Sequence, residues 1–274
     1  MGEIVWGACT AHTAAMMREP PSGEDAERAQ RVFAGFDALK TSLAAARPDL
    51  LVIVATDHFE TFSYAALPSF ALGQGAAFDS WGEYGSPKAR YRGNEAVGEA
   101  VLASMIEDGF DLVSAAEMRL DHAFSCPLGF LMDDPELPVL PVYVNCTVAP
   151  LPTPVRCHAF GVSLGRALRA QPHARRIAVL GTGGLSHWVG TPQSGLINQD
   201  FDAAFLRRFE AGAYDELAGW DAQRVIHEAG NGAAEVRNWL VAAAAMQAAG
   251  ARRVAYEPVQ GWRTGIALVE LEAP

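Results

Sequence analysis

The sequence predicts an α/β sandwich in which a central sheet is flanked by helices. Three observations predict it. Residues 50–56, LLVIVAT, form a continuous apolar run rich in β-branched side chains, the composition of a strand buried on both faces. Residues 138–146, PVLPVYVNC, and 176–181, within RIAVLGTGG, read the same way. Between such runs lie stretches with helical spacing. In 26–46, for example, Val32, Phe33, Phe36, Leu39 and Leu43 share one side. Buried strands alternating with amphipathic helices close into layers around one sheet.

The other elements follow in chain order. Residues 3–9 read as the first strand, and a polar, Pro-containing loop runs from about Arg18 to Glu24. Pro48 and Asp49 end the helix at 26–46. Residues 66–90 are rich in Gly, Pro, Ser and aromatics and read as an irregular segment lying over a site. A helix at 94–108 and a short strand at 111–116 come next, followed by the strand at 138–146 and a helix at 158–170. After strand 176–181, helices are expected at 199–210, 221–228 and 232–249, with closing strands at 253–257 and 265–271. No linker or internal repeat divides residues 1–274, so a single domain is expected.

Composition narrows the function classes. Asp and Glu number 32 against 21 Lys and Arg, a formal charge of -11. Such a surface repels phosphate backbones and anionic lipid, so neither nucleic acid nor membrane is an expected partner. The N-terminal MGEIVWGACTAH reads as a strand and not a signal peptide, and no apolar run approaches the length of a membrane span. Cys9, Cys126, Cys146 and Cys157 are widely spaced, with no CxxC pair. That pattern fits reduced thiols in the cytoplasm.

The chemistry concentrates in the seven histidines. His12 follows the first strand, His58 follows Asp57 at the end of the strongest strand, and His187 follows the GTGG turn at the end of another. One histidine after a strand is ordinarily a loop residue. Three at equivalent places point to a shared crevice, because ligands in α/β folds gather at the carboxyl ends of strands. His158, His173 and His227 read as surface or capping residues. Glu235, in GNGAAEVRNWL, lies where a first-turn Glu is ordinary, yet Gly230 and Gly232 upstream allow a close backbone approach. Two histidines and a carboxylate with open positions suit Fe(II), and zinc accepts the same donors, so the residues by themselves leave the metal open. The turn 181–184 matches neither a phosphate loop nor, with Ser186, a nucleophile elbow. Its glycines are expected to make room for an aromatic ring beside His187.

At these residues the chain resembles the class III extradiol ring-cleavage dioxygenases. The resemblance is carried by TAH ending at His12, ATDHF around His58, LDHAFSCPL around His122 and PVLPVYVN ending at Asn145. It continues through GTGGLSHW around His187, GLINQDFD, and AGNGAAEVRNW around Glu235. These segments stand in the family's order over nearly the whole chain. The implied fold is a central mixed sheet flanked by helices, of the catalytic-subunit type.

The resemblance implies that His12, His58 and Glu235 hold Fe(2+), that His187 is an acid–base group, and that His122 is a proton donor. Asp57 and Asp121, each preceding one of these histidines, are expected to orient them from behind. Trp262 and Arg263, in EPVQGWRTGIALVEL, are expected to border the substrate. Arg263 departs from the family's pattern there, and a guanidinium at that place suits a carboxylate. The implied partners are a small aromatic substrate and O2, within a homo-oligomer that works with or without a separate small α subunit. The implied reaction opens a catechol-type ring to a semialdehyde. An aminophenol or hydroxylated heterocycle as substrate, a zinc hydrolase, and a non-catalytic metal-binding protein are the competing readings.

Overall fold

A computed structural model describes residues 1–18, 21–133 and 136–274, so residues 19–20 of the expected early loop lie outside the described residues. The sheet begins with β1 (Glu3–Thr10), followed by helix α1 (Glu24–Ala46), strand β2 (Leu50–Ala55) and strand β3 (Phe70–Gly73). A hairpin of β4 (Ala77–Trp81) and β5 (Lys88–Arg92) precedes α2 (Glu95–Glu107), β6 (Val113–Ala115) and α3 (His122–Leu131). Then come β7 (Val139–Val144), α4 (Pro154–Ala170), β8 (Arg176–Thr182), α5 (Gln199–Glu210), α6 (Tyr214–Ala218) and α7 (Ala222–Ala229). Helix α8 (Val236–Met246) leads into β9 (Gly250–Val259) and β10 (Thr264–Glu272).

Eight strands form one sheet in the order β6-β3-β7-β2-β8-β1-β10-β9. The four central strands β7, β2, β8 and β1 run parallel. Antiparallel β10 and β9 extend one edge, and β3 joins β7 antiparallel on the other. The sheet is therefore mixed. Side chains of β2 alternate between two cores. Leu51, Ile53 and Ala55 join Val32, Phe36 and Leu39 of α1 and Phe124 of α3. Leu50, Val52 and Val54 join Phe160 and Leu164 of α4 and Trp239 and Leu240 of α8. A strand covered on both faces has no solvent side, which is why its sequence is apolar throughout.

Several elements differ from the sequence expectation. The stretch read as irregular, 66–90, holds strand β3 and most of the β4–β5 hairpin, whose strands are only four or five residues long. Helix α3 was not expected; it starts where the Asp121 carboxylate accepts from Ala123 N at 2.9 Å, a cap that its own segment supplies. Helix α4 starts at Pro154, because Thr153 caps Arg156 N at 3.2 Å. The expected helix at 232–249 is a 3-10 turn at Gly232–Glu235 followed by α8. All four cysteines are free and buried, and burial pushes the thiols up, so they stay protonated.

Helix α8 is buried along its whole length, and α4 crosses it at backbone contact. A Cβ at Gly165 would sit 2.2 Å from Ala245 O, and one at Gly161 would sit 2.5 Å from Val241 O. In an ordinary helix, replacing Gly by Ala stabilises by about 1 kcal/mol. Here the sign should reverse: Gly165→Ala is expected to destabilise by about 1–3 kcal/mol, the usual cost of overpacking. Urea unfolding checks this, and an unchanged or raised midpoint would show that the crossing is looser than described.

Candidate metal centre and active site

Parallel strands bring their carboxyl ends to one edge. In register, Thr10 of β1 lies beside Thr182 of β8, and Val54 of β2 lies beside Gly181. His12, Asp57–His58 and the 183–187 turn therefore leave the sheet side by side. Glu235 arrives from above, in the last residue of the 3-10 turn before α8. Its carboxylate is 3.1 Å from His12 Nε2 and 3.6 Å from His58 Nε2, both measured to Oε1. Its Oε2 accepts from Gly184 N at 2.8 Å and lies 3.9 Å from His187 Nε2. The His122 ring stacks on His58 with centroids 4.2 Å apart and meets His12 edge-on at 5.7 Å. All four sequence-predicted histidines and Glu235 thus meet in one cluster.

The hydrogen bonds fix which ring nitrogen of each histidine faces the centre. Thr182 Oγ1 donates its proton to Ala123 O at 2.8 Å, so it must accept from His12 Nδ1 at 3.1 Å. Asp121 Oδ2 accepts from His58 Nδ1 at 2.8 Å and from His58 N at 2.6 Å. Glu83 Oε1 accepts from His122 Nδ1 at 2.7 Å, and Leu185 O accepts from His187 Nδ1 at 3.0 Å. Every Nδ1 carries a proton directed at a protein acceptor. Every Nε2 is left for the common space, the arrangement typical of ligating and acid–base imidazoles.

The charges are unusual for an interior. Burial by itself would raise the Glu235 carboxyl, but the His12 charge and hydrogen bonds from His12 and His58 hold it well below the usual carboxylate range. Burial pushes His12 down and outweighs Glu235. Burial also opposes charge on His58, yet Asp121, by its charge and its hydrogen bond, raises it well above its ordinary value. With Nδ1–H given to Thr182, His12 can bond the Glu235 oxygen at 3.1 Å only by taking a second proton on Nε2, which burial disfavours. A cation between them satisfies both, so these residues fit a metal ion. Three sets have suitable spacing among the described residues: His12 and His58 with Glu235; His12, His58 and His122; and Glu83, Asp121 and His122, the ligand atoms of each of the last two lying within 4.8 Å of one another.

Side chains of α8 lock the turn that carries His187. Asn238 Nδ2 donates to Thr182 O at 2.8 Å, and Trp239 Nε1 donates to Gly183 O at 3.1 Å. A Cβ on Gly183, at φ +129, would sit 2.5 Å from Glu235 Cβ. Gly183 makes room for Glu235, and Gly181 makes room for Asn238 and Ala242 of α8. Gly232 performs the approach expected of it, since a Cβ there would fall 2.1 Å from His187 Nε2. Beyond the turn, buried Asp202 accepts from Ser186 N, Ser186 Oγ and Tyr256 OH at 2.8–2.9 Å; burial pushes its carboxyl up to about 6. Asn238, Trp239 and Asp202 were missed as supports. They lie within the quoted NGAAEVRNW and GLINQDFD segments, but only the fold shows what they touch.

The expected orienting aspartates divide differently. Asp121 does orient a histidine of the cluster, but it is His58, 63 positions away, and not its neighbour His122. Asp57 accepts from Thr61 N and Phe62 N and so shapes the loop after His58; burial pushes its carboxyl up to about 6. Trp262 is 4% exposed and packs edge-on against Phe33 at 5.6 Å, as part of the core under α1. The adjoining segment does border the cluster. Thr13 Oγ1 donates to Thr264 Oγ1 at 3.1 Å, and Gly265 exchanges backbone hydrogen bonds with Leu185 and Ser186. The exposed Arg263 guanidinium donates to Ser194 Oγ at 3.5 Å, with no ion pair to it among the described residues. Among those residues no helix is long and apolar enough to cross a membrane.

Known proteins similar in sequence to this chain include named dioxygenases. A 2,3-dihydroxyphenylpropionate/2,3-dihydroxicinnamic acid 1,2-dioxygenase of Photorhabdus laumondii is 27% identical over 311 residues, covering 96% of each chain. A second enzyme of that name, from Pseudomonas putida, is 34% identical over 186 residues, covering 68% of this chain and 57% of its own. The crystal structure of uncharacterized protein JW3007 from Escherichia coli K12 matches the fold with a TM-score of 0.61 at 13% identity, covering 97% of this chain and 99% of that one. The family model for the catalytic LigB subunit of aromatic ring-opening dioxygenase matches residues 7–267, which takes in every histidine of the cluster and Glu235, and the chain belongs to that family.

Proposed function

We propose that the protein is an Fe(II)-dependent extradiol dioxygenase acting on a catechol that carries a short carboxylated side chain, with His12, His58 and Glu235 as the metal ligands. The observation that carries this reading is that each of the four histidines has Nδ1 tied to protein, and that the Nε2 atoms of His12, His58 and His187 lie 3.1–3.9 Å from one buried carboxylate. Two imidazole nitrogens and one carboxylate oxygen on one side leave the other side open for two ring oxygens and dioxygen, the donor set that suits Fe(II). When bound, Fe(II) supplies a path for electrons from ring to dioxygen and acidifies a ring hydroxyl. His187 Nε2 is the base that takes the hydroxyl proton, and the Leu185 carbonyl holds the ring in the tautomer that can accept it. His122 Nε2 would first take the proton of the second ring hydroxyl and then return it during ring opening. The carboxylated side chain is supported by the names of the relatives and by the free guanidinium of Arg263 beside the Thr264–Gly265 border.

Oxygen uptake by the anaerobically Fe(II)-loaded protein tests the reaction class. Carboxylated 2,3-dihydroxyphenyl compounds should be consumed fastest, plain catechols more slowly and aminophenols least. No uptake with any catechol would overturn the reading. His12→Ala, His58→Ala and Glu235→Ala should each lose bound iron and turnover together, whereas His187→Ala and His122→Ala should keep iron. Turnover of His187→Ala should fall by about 10²–10⁴-fold, the usual contribution of a general acid–base group. If His187→Ala bound iron poorly, that histidine would be a ligand. For specificity, Arg263→Met should raise KM selectively for the carboxylated ring. An equal change on carboxylated and plain catechols would make Arg263 structural.

A further inference from the structure

We propose that Glu83 is the positioning residue for His122, delivered to it by the β4–β5 hairpin. Nothing in the quoted motifs points to this residue, because it lies in the stretch that reads as irregular. The inference rests on the acid–base reading of His122 but comes from a different part of the molecule.

The hairpin turn is shaped for one purpose. Gly82 at φ 87 and Gly85 at φ 89 bracket Tyr84, which adopts φ 50 although it is not glycine. Such a conformation is disfavoured for a non-glycine residue and persists only where surrounding contacts impose it. The turn sends Glu83 inward, where it is 7% exposed, and leaves Tyr84 outward with its ring edge-on to His122 at 5.7 Å. Leu120 N donates to Asp79 O at 3.0 Å, so the hairpin and the 120–122 stretch are fastened together.

Glu83 Oε1 receives both the backbone N–H and the Nδ1–H of His122. One carboxylate oxygen therefore sets the ring's tautomer and its rotation at once. With Nδ1–H held by Glu83, Nε2 is the nitrogen left for the space shared with His12 and His58, whose ring stacks on that of His122 at 4.2 Å. When Nε2 takes up a proton, the carboxylate behind the ring stabilises the positive charge. Asp121 cannot fill this role, since its carboxylate is committed to His58 and to the start of α3.

Because a single oxygen accepts both bonds, Glu83→Gln can keep the geometry while removing the charge, and Glu83→Ala removes both. In the metal-free protein, NMR of 15N-histidine should show a hydrogen-bonded His122 Nδ1–H in wild type and Glu83→Gln and none in Glu83→Ala. In the Fe(II)-loaded enzyme, Glu83→Ala should keep its iron content while kcat falls by about 10–100-fold, the range for supports of active-site histidines. KM should change far less than kcat. In the His122→Ala background, Glu83→Gln should lower kcat no further. The proposal is overturned if the Nδ1–H signal survives in Glu83→Ala, or if Glu83→Gln costs the same factor with and without His122. If Glu83→Ala loses its fold, the Glu83→Gln cycle decides alone. If His122→Ala by itself leaves kcat unchanged, the acid–base reading of His122 fails, and the NMR arm still judges the positioning.

Discussion

An ionised carboxylate buried to 3% exposure, as Glu235 is, costs several kcal/mol unless donors or cations meet its oxygens. Much of the protein's C-terminal architecture answers that requirement. Gly184 N meets Oε2, His12 and His58 face Oε1, and Gly183 lacks a side chain where one would collide with Glu235. Asn238 and Trp239, three and four positions along the same chain segment, hold the turn that supplies Gly183 and Gly184. Glu235 therefore sits on a short 3-10 turn whose position is set by a fully buried helix. The backbone contact of α4 with α8 keeps that helix in place.

The histidines answer the same carboxylate from below. Each reaches the cluster from the end of a strand or the start of a helix, and each is braced by an acceptor supplied by another part of the fold. His12 relies on Thr182, His58 on Asp121 and His122 on Glu83, at separations of 170, 63 and 39 positions. The site is thus assembled by tertiary contacts among distant segments. His187 is the exception, held by a carbonyl two residues before it. Its rigidity is borrowed from Asp202, which bonds Ser186 through both backbone and side chain.

The parts legible in the sequence were those written locally. Strands β1, β2, β7 and β8 announce themselves because a strand covered on both faces needs an unbroken apolar run. Three histidines at strand ends pointed to a crevice because parallel strands must release their chains at one edge. The hairpin at 77–92 is hidden because β4 and β5 are only five residues each and stand in a stretch dense in Gly, Pro and Ser, so Glu83 reads as a loop residue. Asp121 was seen as a support, but its partner lies across the fold, and no spacing rule links positions 58 and 121. Trp262, expected at the substrate, instead fills space beside Phe33. Trp262 ends the 3-10 turn Gln260–Trp262 and is buried, whereas the adjoining Arg263 is exposed.

The central claim is that one carboxylate and two histidines hold the metal while two further histidines stand by as acid–base groups. The direct test is a crystal structure of the protein loaded anaerobically with Fe(II). The account predicts iron bonded to His12 Nε2, His58 Nε2 and Glu235 Oε1, with His122 and His187 beyond bonding distance and the remaining positions open to solvent. Iron bonded to His12, His58 and His122, or to Glu83, Asp121 and His122, two further sets whose spacing permits it, with Glu235 outside the coordination sphere, would contradict it.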